Sequence, residues 1–81
     1  MAHVTLVGNL RQFAGGVGEL EVDAANIRQL FAKLGAQFPD LAPHLGDGMA
    51  VAIDGEIYQE TLFQPIGENA VVHLLPAIPG G

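Results

Sequence analysis

The 81 residues include no cysteine and no tryptophan. Without cysteine there is no disulfide framework, no thiolate metal site and no cysteine nucleophile in this chain. Basic residues are nearly as scarce: Arg11, Arg28 and Lys33 stand against nine acids, for a net charge of −6. Such a surface repels phosphate backbones, so nucleic acid is not an expected partner. A protein with a basic face fits better, since complementary fields speed encounter, although acidity also keeps a small apolar protein soluble. Long apolar runs are missing too. None approaches the length that spans a bilayer, and the opening "MAHVTLVGNL" has no basic region followed by an apolar stretch and a cleavage site. The expected address is cytoplasmic, with no membrane partner.

Apolar residues nevertheless make up 49% of the chain and charged ones 15%. That is enough for one hydrophobic core, and the length leaves nothing for a second. Residues 3 to 9, "HVTLVGN", alternate as a strand does, with Val4, Leu6 and Val7 supplying apolar bulk. Glycines 15, 16 and 18 follow, and then "ELEVD" alternates again, Leu20 and Val22 on one face, Glu19, Glu21 and Asp23 on the other. The spacing predicts a hairpin joined by a glycine-bearing loop.

From Asn26 the period changes. Ile27, Leu30, Phe31, Leu34 and Phe38 fall at i, i+3, i+4, i+7 and i+11, the apolar stripe of a helix, while Arg28, Gln29, Lys33 and Gln37 face outward. Asn26 is suited to the N-cap, and Pro39 ends the helix because the residue before proline is pushed from helical angles. "PDLAPHLGDG" is predicted to be a loop with a short turn that buries Leu41 and Leu45.

"MAVAID" then predicts a third strand, Asp54-Gly55 a tight hairpin turn, and "EIYQ" a short fourth strand. In the connector "TLFQPIGEN", Pro65 forbids a central strand and Asn69 is suited to a left-handed turn. Leu62, Phe63 and Ile66 are candidates there for an exposed docking role. The last stretch, "AVVHLLP" from Ala70 to Pro76, is the most continuously apolar of the chain, which places it inside the sheet. One helix across a mixed sheet is an α+β fold in two layers. The first and last strands, both interior, are expected to lie side by side and parallel, as in the ubiquitin-like β-grasp.

Other chemistries find little support. His3, His44 and His73 lack the spacing of a metal site. Gly15, Gly16 and Gly18 precede a strand and no lysine follows, so they are turn residues and not a phosphate loop.

The closing "HLLPAIPGG" poses the functional question, because a glycine pair adds nothing to a core. Together with "VTLVGNLRQFAG", "NIRQLFAKL" and "AIDGE", this ending resembles the ubiquitin-like sulfur-carrier proteins, which include the small subunit of molybdopterin synthase and the thiamin-pathway carrier. Small subunits of that synthase typically end on an apolar strand, two prolines, an aliphatic residue, a variable one and Gly-Gly. Here Ala77 stands where the second proline is common and Pro79 takes the variable place. The "LLPAI" form also resembles carriers that serve cysteine or methionine synthesis, so the acceptor is open.

The resemblance implies a β-grasp domain over residues 1–76 and an extended tail over 77–81. It implies that the carboxylate of Gly81 is the reacting group. A partner adenylyltransferase, related to ubiquitin-activating enzymes, would adenylate it with ATP. A persulfide donor would convert it to a thiocarboxylate, and a synthase subunit would accept the sulfur. The chain itself is then no enzyme and binds no cofactor. Gly80, Pro79, Ile78, Ala77, Pro76, Leu75 and Phe63 are the expected partner-binding residues. Six extended residues from Pro76 reach roughly 20 Å. The prolines lower the entropy lost on docking, and the glycines thread a narrow channel. Two other readings of the same residues are a protein modifier joined through Gly81 to lysines, and a plain β-grasp interaction domain.

Overall fold

A computed structural model describes residues 1–45, 49–59 and 62–75. Five strands, β1 (Ala2–Leu6), β2 (Glu19–Val22), β3 (Ala50–Ile53), β4 (Glu56–Gln59) and β5 (Val71–Leu75), form one sheet, and α1 (Ile27–Gln37) packs against it. The strand order is β2-β1-β5-β3-β4. β1 and β5 are parallel neighbours, with Val4 opposite Val72 and Leu6 opposite Leu74, and the other three pairs are antiparallel. This is the expected α+β, β-grasp arrangement, with the first and last strands inside the sheet.

The apolar periods account for the core. Alternation on β1 turns Ala2, Val4 and Leu6 to one side, and β5 adds Val72 and Leu74. The α1 stripe closes over them, with Ile27, Leu30 and Leu34 buried and Phe31 and Phe38 packed at its margin. Each fully buried leucine or valine of this set contributes about 1.5–3 kcal/mol of transfer free energy.

Two local departures from the sequence reading have simple causes. β1 stops at Leu6 and not at Asn9, because Gly8 takes φ 67° and starts a 3-10 turn, Gly8–Ala14, that buries Leu10 and Ala14. Asn69 is not left-handed: among the described residues Asp54 is the one non-glycine with positive φ. The Gly67 to Ala70 turn closes through the Ala70 N–H on the Gly67 carbonyl at 3.1 Å, and an ordinary turn needs no positive φ at its third position. Asp54 (φ 49°) and Gly55 (φ 92°) do form the β3–β4 turn in the left-handed pair that matches strand twist.

The start of α1 is held from two directions. Asn26 Oδ1 accepts from the Gln29 N–H at 2.8 Å, while Gln29 Oε1 accepts from the Ala25 N–H at 2.9 Å. The next free amides, those of Ile27 and Arg28, donate to the carbonyls of Gln64 and Leu62. Orphan donors of a first helical turn are thus satisfied by the connector after β4. The same run brings the Ile66 N–H to the Ala25 carbonyl and seats Ile66 in the core, 6% exposed. Ile66 is therefore a packing residue and not part of an exposed docking surface. At the other end of α1 the chain turns through a second 3-10 segment, Ala42–His44, below which Leu41 is fully buried.

Candidate functional site: the outer sheet face and the end of β5

A two-layer fold covers one face of its sheet and leaves the other open. Alternation along β5 buries Val72 and Leu74 under α1 and turns Val71, His73 and Leu75 outward. Registers then assemble the outer face row by row. Glu21, His3 and Val71 make one row. Glu19, Thr5, His73, Ala52 and Ile57 make the next, across all five strands. Leu75, Ala50 and Gln59 make the third, at the last residue of β5.

This face is chemically divided. The β2 side is acidic, with Glu19 and Glu21, and His3 Nε2 lies 2.7 Å from Glu19 Oε1. The β5–β3–β4 side is apolar, with Ile57 66% and Val71 45% exposed and Ala50 and Ala52 forming a low floor between them. His73 rises from that floor, its register neighbours being the small side chains of Thr5 and Ala52.

Of the sequence-predicted partner residues, Leu75 is half-buried at the last position of β5, opposite Ala50. Phe63 is 75% exposed, in the connector that crosses the first turn of α1. That turn follows β2, whose last residue pairs with Ala2 at the start of β1, so Phe63 and Leu75 stand toward opposite ends of the parallel pair and are not brought together. Leu62, 40% exposed, accompanies Phe63. Pro76, Ala77, Ile78, Pro79, Gly80 and Gly81, with the 76/77 domain boundary, lie outside the described residues. Ile57 and Val71 went unnoticed in the sequence. Pairing register, absent from a one-dimensional pattern, is what exposes both on one face.

No group of three or more His, Asp or Glu side chains positioned to hold a metal exists among the described residues, and no described helix is long and apolar enough to cross a membrane. A cleft of about 440 Å³ lies on the other layer, lined among others by Met1, Asp23, Lys33, Ile66 and Glu68. Lys33 Nζ donates there to the Asp23 carbonyl.

The model of the ThiS family matches residues 4–81. A search of curated protein sequences returned no match. Among solved structures, the chain is similar to one in the BexX/CysO complex of Amycolatopsis orientalis, with a TM-score of 0.81, 18% identity and complete coverage of both chains. It is also similar to small archaeal modifier protein 1 of Methanosarcina acetivorans, with a TM-score of 0.79, 23% identity and coverage of 99% of this chain and 95% of that one. A third likeness is to a chain in the complex of subunits 1 and 2 of molybdopterin-converting factor from Helicobacter pylori 26695. There the TM-score is 0.71, with 22% identity and coverage of 99% and 97%.

Proposed function

The chain belongs to the ThiS family, and from that premise we propose that it is a sulfur carrier that works through the carboxylate of Gly81. The observation that carries the reading is that the family match extends through Gly80 and Gly81. The fold supports it as well: β5 is held by β1 as far as Leu74 and by β3 as far as Leu75, which fixes the end of the strand beside an open apolar face.

The chemistry follows from the weakness of a carboxylate as an electrophile. Its charge is delocalised and oxide is a poor leaving group. Attack of a Gly81 carboxylate oxygen on the α-phosphorus of ATP, in a partner adenylyltransferase, releases pyrophosphate and leaves an acyl adenylate. A persulfide sulfur on a donor protein then attacks the carbonyl carbon and AMP departs. A thiol cleaves the resulting acyl disulfide, becoming a disulfide with the donor sulfur, and the thiocarboxylate is freed on Gly81. The soft sulfur nucleophile is then delivered to an acceptor held by a synthase subunit.

In this scheme the carrier supplies no acid, base or metal ligand. Its contribution is to dock and to extend. Molybdopterin synthesis is the favoured destination, in keeping with the likeness to a molybdopterin-converting factor chain. Cysteine or methionine, thiamin and specialised-metabolite pathways use the same chemistry. The likeness to an archaeal modifier protein favours one second reading, conjugation of Gly81 to lysines of other proteins, since an amine can attack the same adenylate.

Incubation with the adenylyltransferase, ATP and a persulfide donor is expected to exchange one oxygen of the carrier for one sulfur in the intact mass. Removal of Gly81 is expected to abolish that change without shifting the melting temperature. An unmodified mass with every candidate activator overturns the carrier reading, and recovery of Gly81 in isopeptide linkage on cellular proteins supports the modifier.

A further inference from the structure

We propose that His73 is the specificity point of the outer face: the activating partner places a hydrogen-bond donor over this imidazole and basic side chains over the neighbouring Glu19–Glu21 flank. The inference rests on the sulfur-carrier reading and goes beyond it, to the chemistry of the surface that receives the body of the carrier.

Position is the first argument. His73 occupies the middle strand of the five-residue row Glu19, Thr5, His73, Ala52 and Ile57. It lies two residues before Leu75, the last residue of β5, and on the same face. A protein that takes residues 76–81 into its active site meets this end of the sheet first, and a contact that spreads from Leu75 to Val71 and Ile57 covers His73.

The second argument is an unmet hydrogen bond. His3, the other histidine of this face, is already paired with Glu19. His73 has no side-chain partner among the described residues, and no described polar side-chain atom is both buried and unpartnered, so water still reaches the His73 ring nitrogens. Docking removes that water. A polar group desolvated without a partner costs roughly 1–3 kcal/mol, enough to cancel the gain from covering a residue such as Val71. An apolar partner surface is therefore penalised at the centre of the contact, whereas one with a matching polar group is not.

Charge decides which group that is. The chain carries −6 overall, and the flank beside His73 presents Glu19 and Glu21, so the complementary surface is basic. An unprotonated imidazole offers one acceptor nitrogen. Against a basic surface the ring serves as that acceptor, since a second cation at the same place would repel. Thr5 and Ala52, both small, leave the ring approachable from either side.

The experiment measures thiocarboxylate formation by the adenylyltransferase that loads the wild-type carrier, as a function of carrier concentration, with melting curves as the control for folding. His73→Leu is expected to raise KM roughly tenfold with kcat unchanged, because the partner's donor is left unsatisfied while the tail chemistry is intact. His73→Gln, which restores an acceptor at similar reach, is expected to recover most of the loss. His73→Lys is expected to raise KM more than leucine does. A leucine variant with the wild-type KM, or a lysine variant that binds more tightly, overturns this proposal and leaves the carrier reading standing. Failure of the wild-type chain to be loaded by any activator overturns both.

Discussion

Asp54 and Val71 hold each other twice: the Asp54 N–H donates to the Val71 carbonyl at 2.9 Å, and the Val71 N–H donates to Asp54 Oδ1 at 2.9 Å. One residue turns the β3–β4 hairpin, and the other is the first of β5. The aspartate thus serves as turn residue and as cross-link, fixing where the last strand enters the sheet. Its positive φ of 49° brings the side chain to the β5 backbone, and short polar side chains tolerate that region best.

Asp54→Asn is accordingly expected to stay within about 0.5 kcal/mol of wild type, since asparagine keeps both the acceptor and the tolerance for left-handed backbone. Asp54→Ala is expected to cost about 1–3 kcal/mol, from the lost acceptor and from a residue poorly suited to positive φ. Urea denaturation of the two variants separates these outcomes, and an alanine variant as stable as wild type would refute the cross-link.

Leu74 and His73 are sequence neighbours on opposite faces. Leu74 is fully buried, so Leu74→Ala is expected to destabilise by about 2–5 kcal/mol. On the open face, His73→Leu is expected to shift stability by no more than about 0.5 kcal/mol. Thermal melts of both decide whether the outer face is free of structural duty, which the use of His73 as a docking probe requires.

Tyr58 reports on the β4 edge. Its hydroxyl donates to Glu56 Oε2 at 2.8 Å. That bond, then desolvation, then the carboxylate charge, hold the phenol above its ordinary value of 10.0. A folded-state value raised above the unfolded one means that this contribution is complete below pH 10 and is lost as pH rises through the folded value. With one tyrosine and no tryptophan in the chain, ultraviolet difference titration follows this group alone. Glu56→Gln is expected to lower the midpoint toward 10.0, and an unchanged midpoint would refute the cause.

Much of this architecture was legible before any coordinates. The helix from Ile27, its Asn26 cap, the Asp54-Gly55 hairpin and the central parallel pair all followed from apolar period and turn chemistry. What escaped reading depended on contacts distant in sequence. Ile66 looked exposed in a polar connector, but its backbone is tied to Ala25 across forty residues of chain. The apolar run at β5 placed that strand in the middle of the sheet, where it lies between β1 and β3. Which of its residues face outward, Val71 and His73 among them, was not in the run itself, because hydropathy does not report pairing register. The proposal of a reacting carboxylate at Gly81 came from a motif, and such a motif carries no packing signal.

The placement of β5 also has a meaning for synthesis. β1 is made early, yet its inner neighbour is the strand Val71–Leu75, and the β3–β4 hairpin reaches the rest of the sheet only through that strand. Until Val71–Leu75 has been made, no strand pairing joins the two halves of the sheet. A complete sheet is in effect a receipt that Val71–Leu75 has been made. If the outer face is what an activating partner selects, as proposed for His73, chains broken off before β5 would be passed over with no separate inspection of their ends.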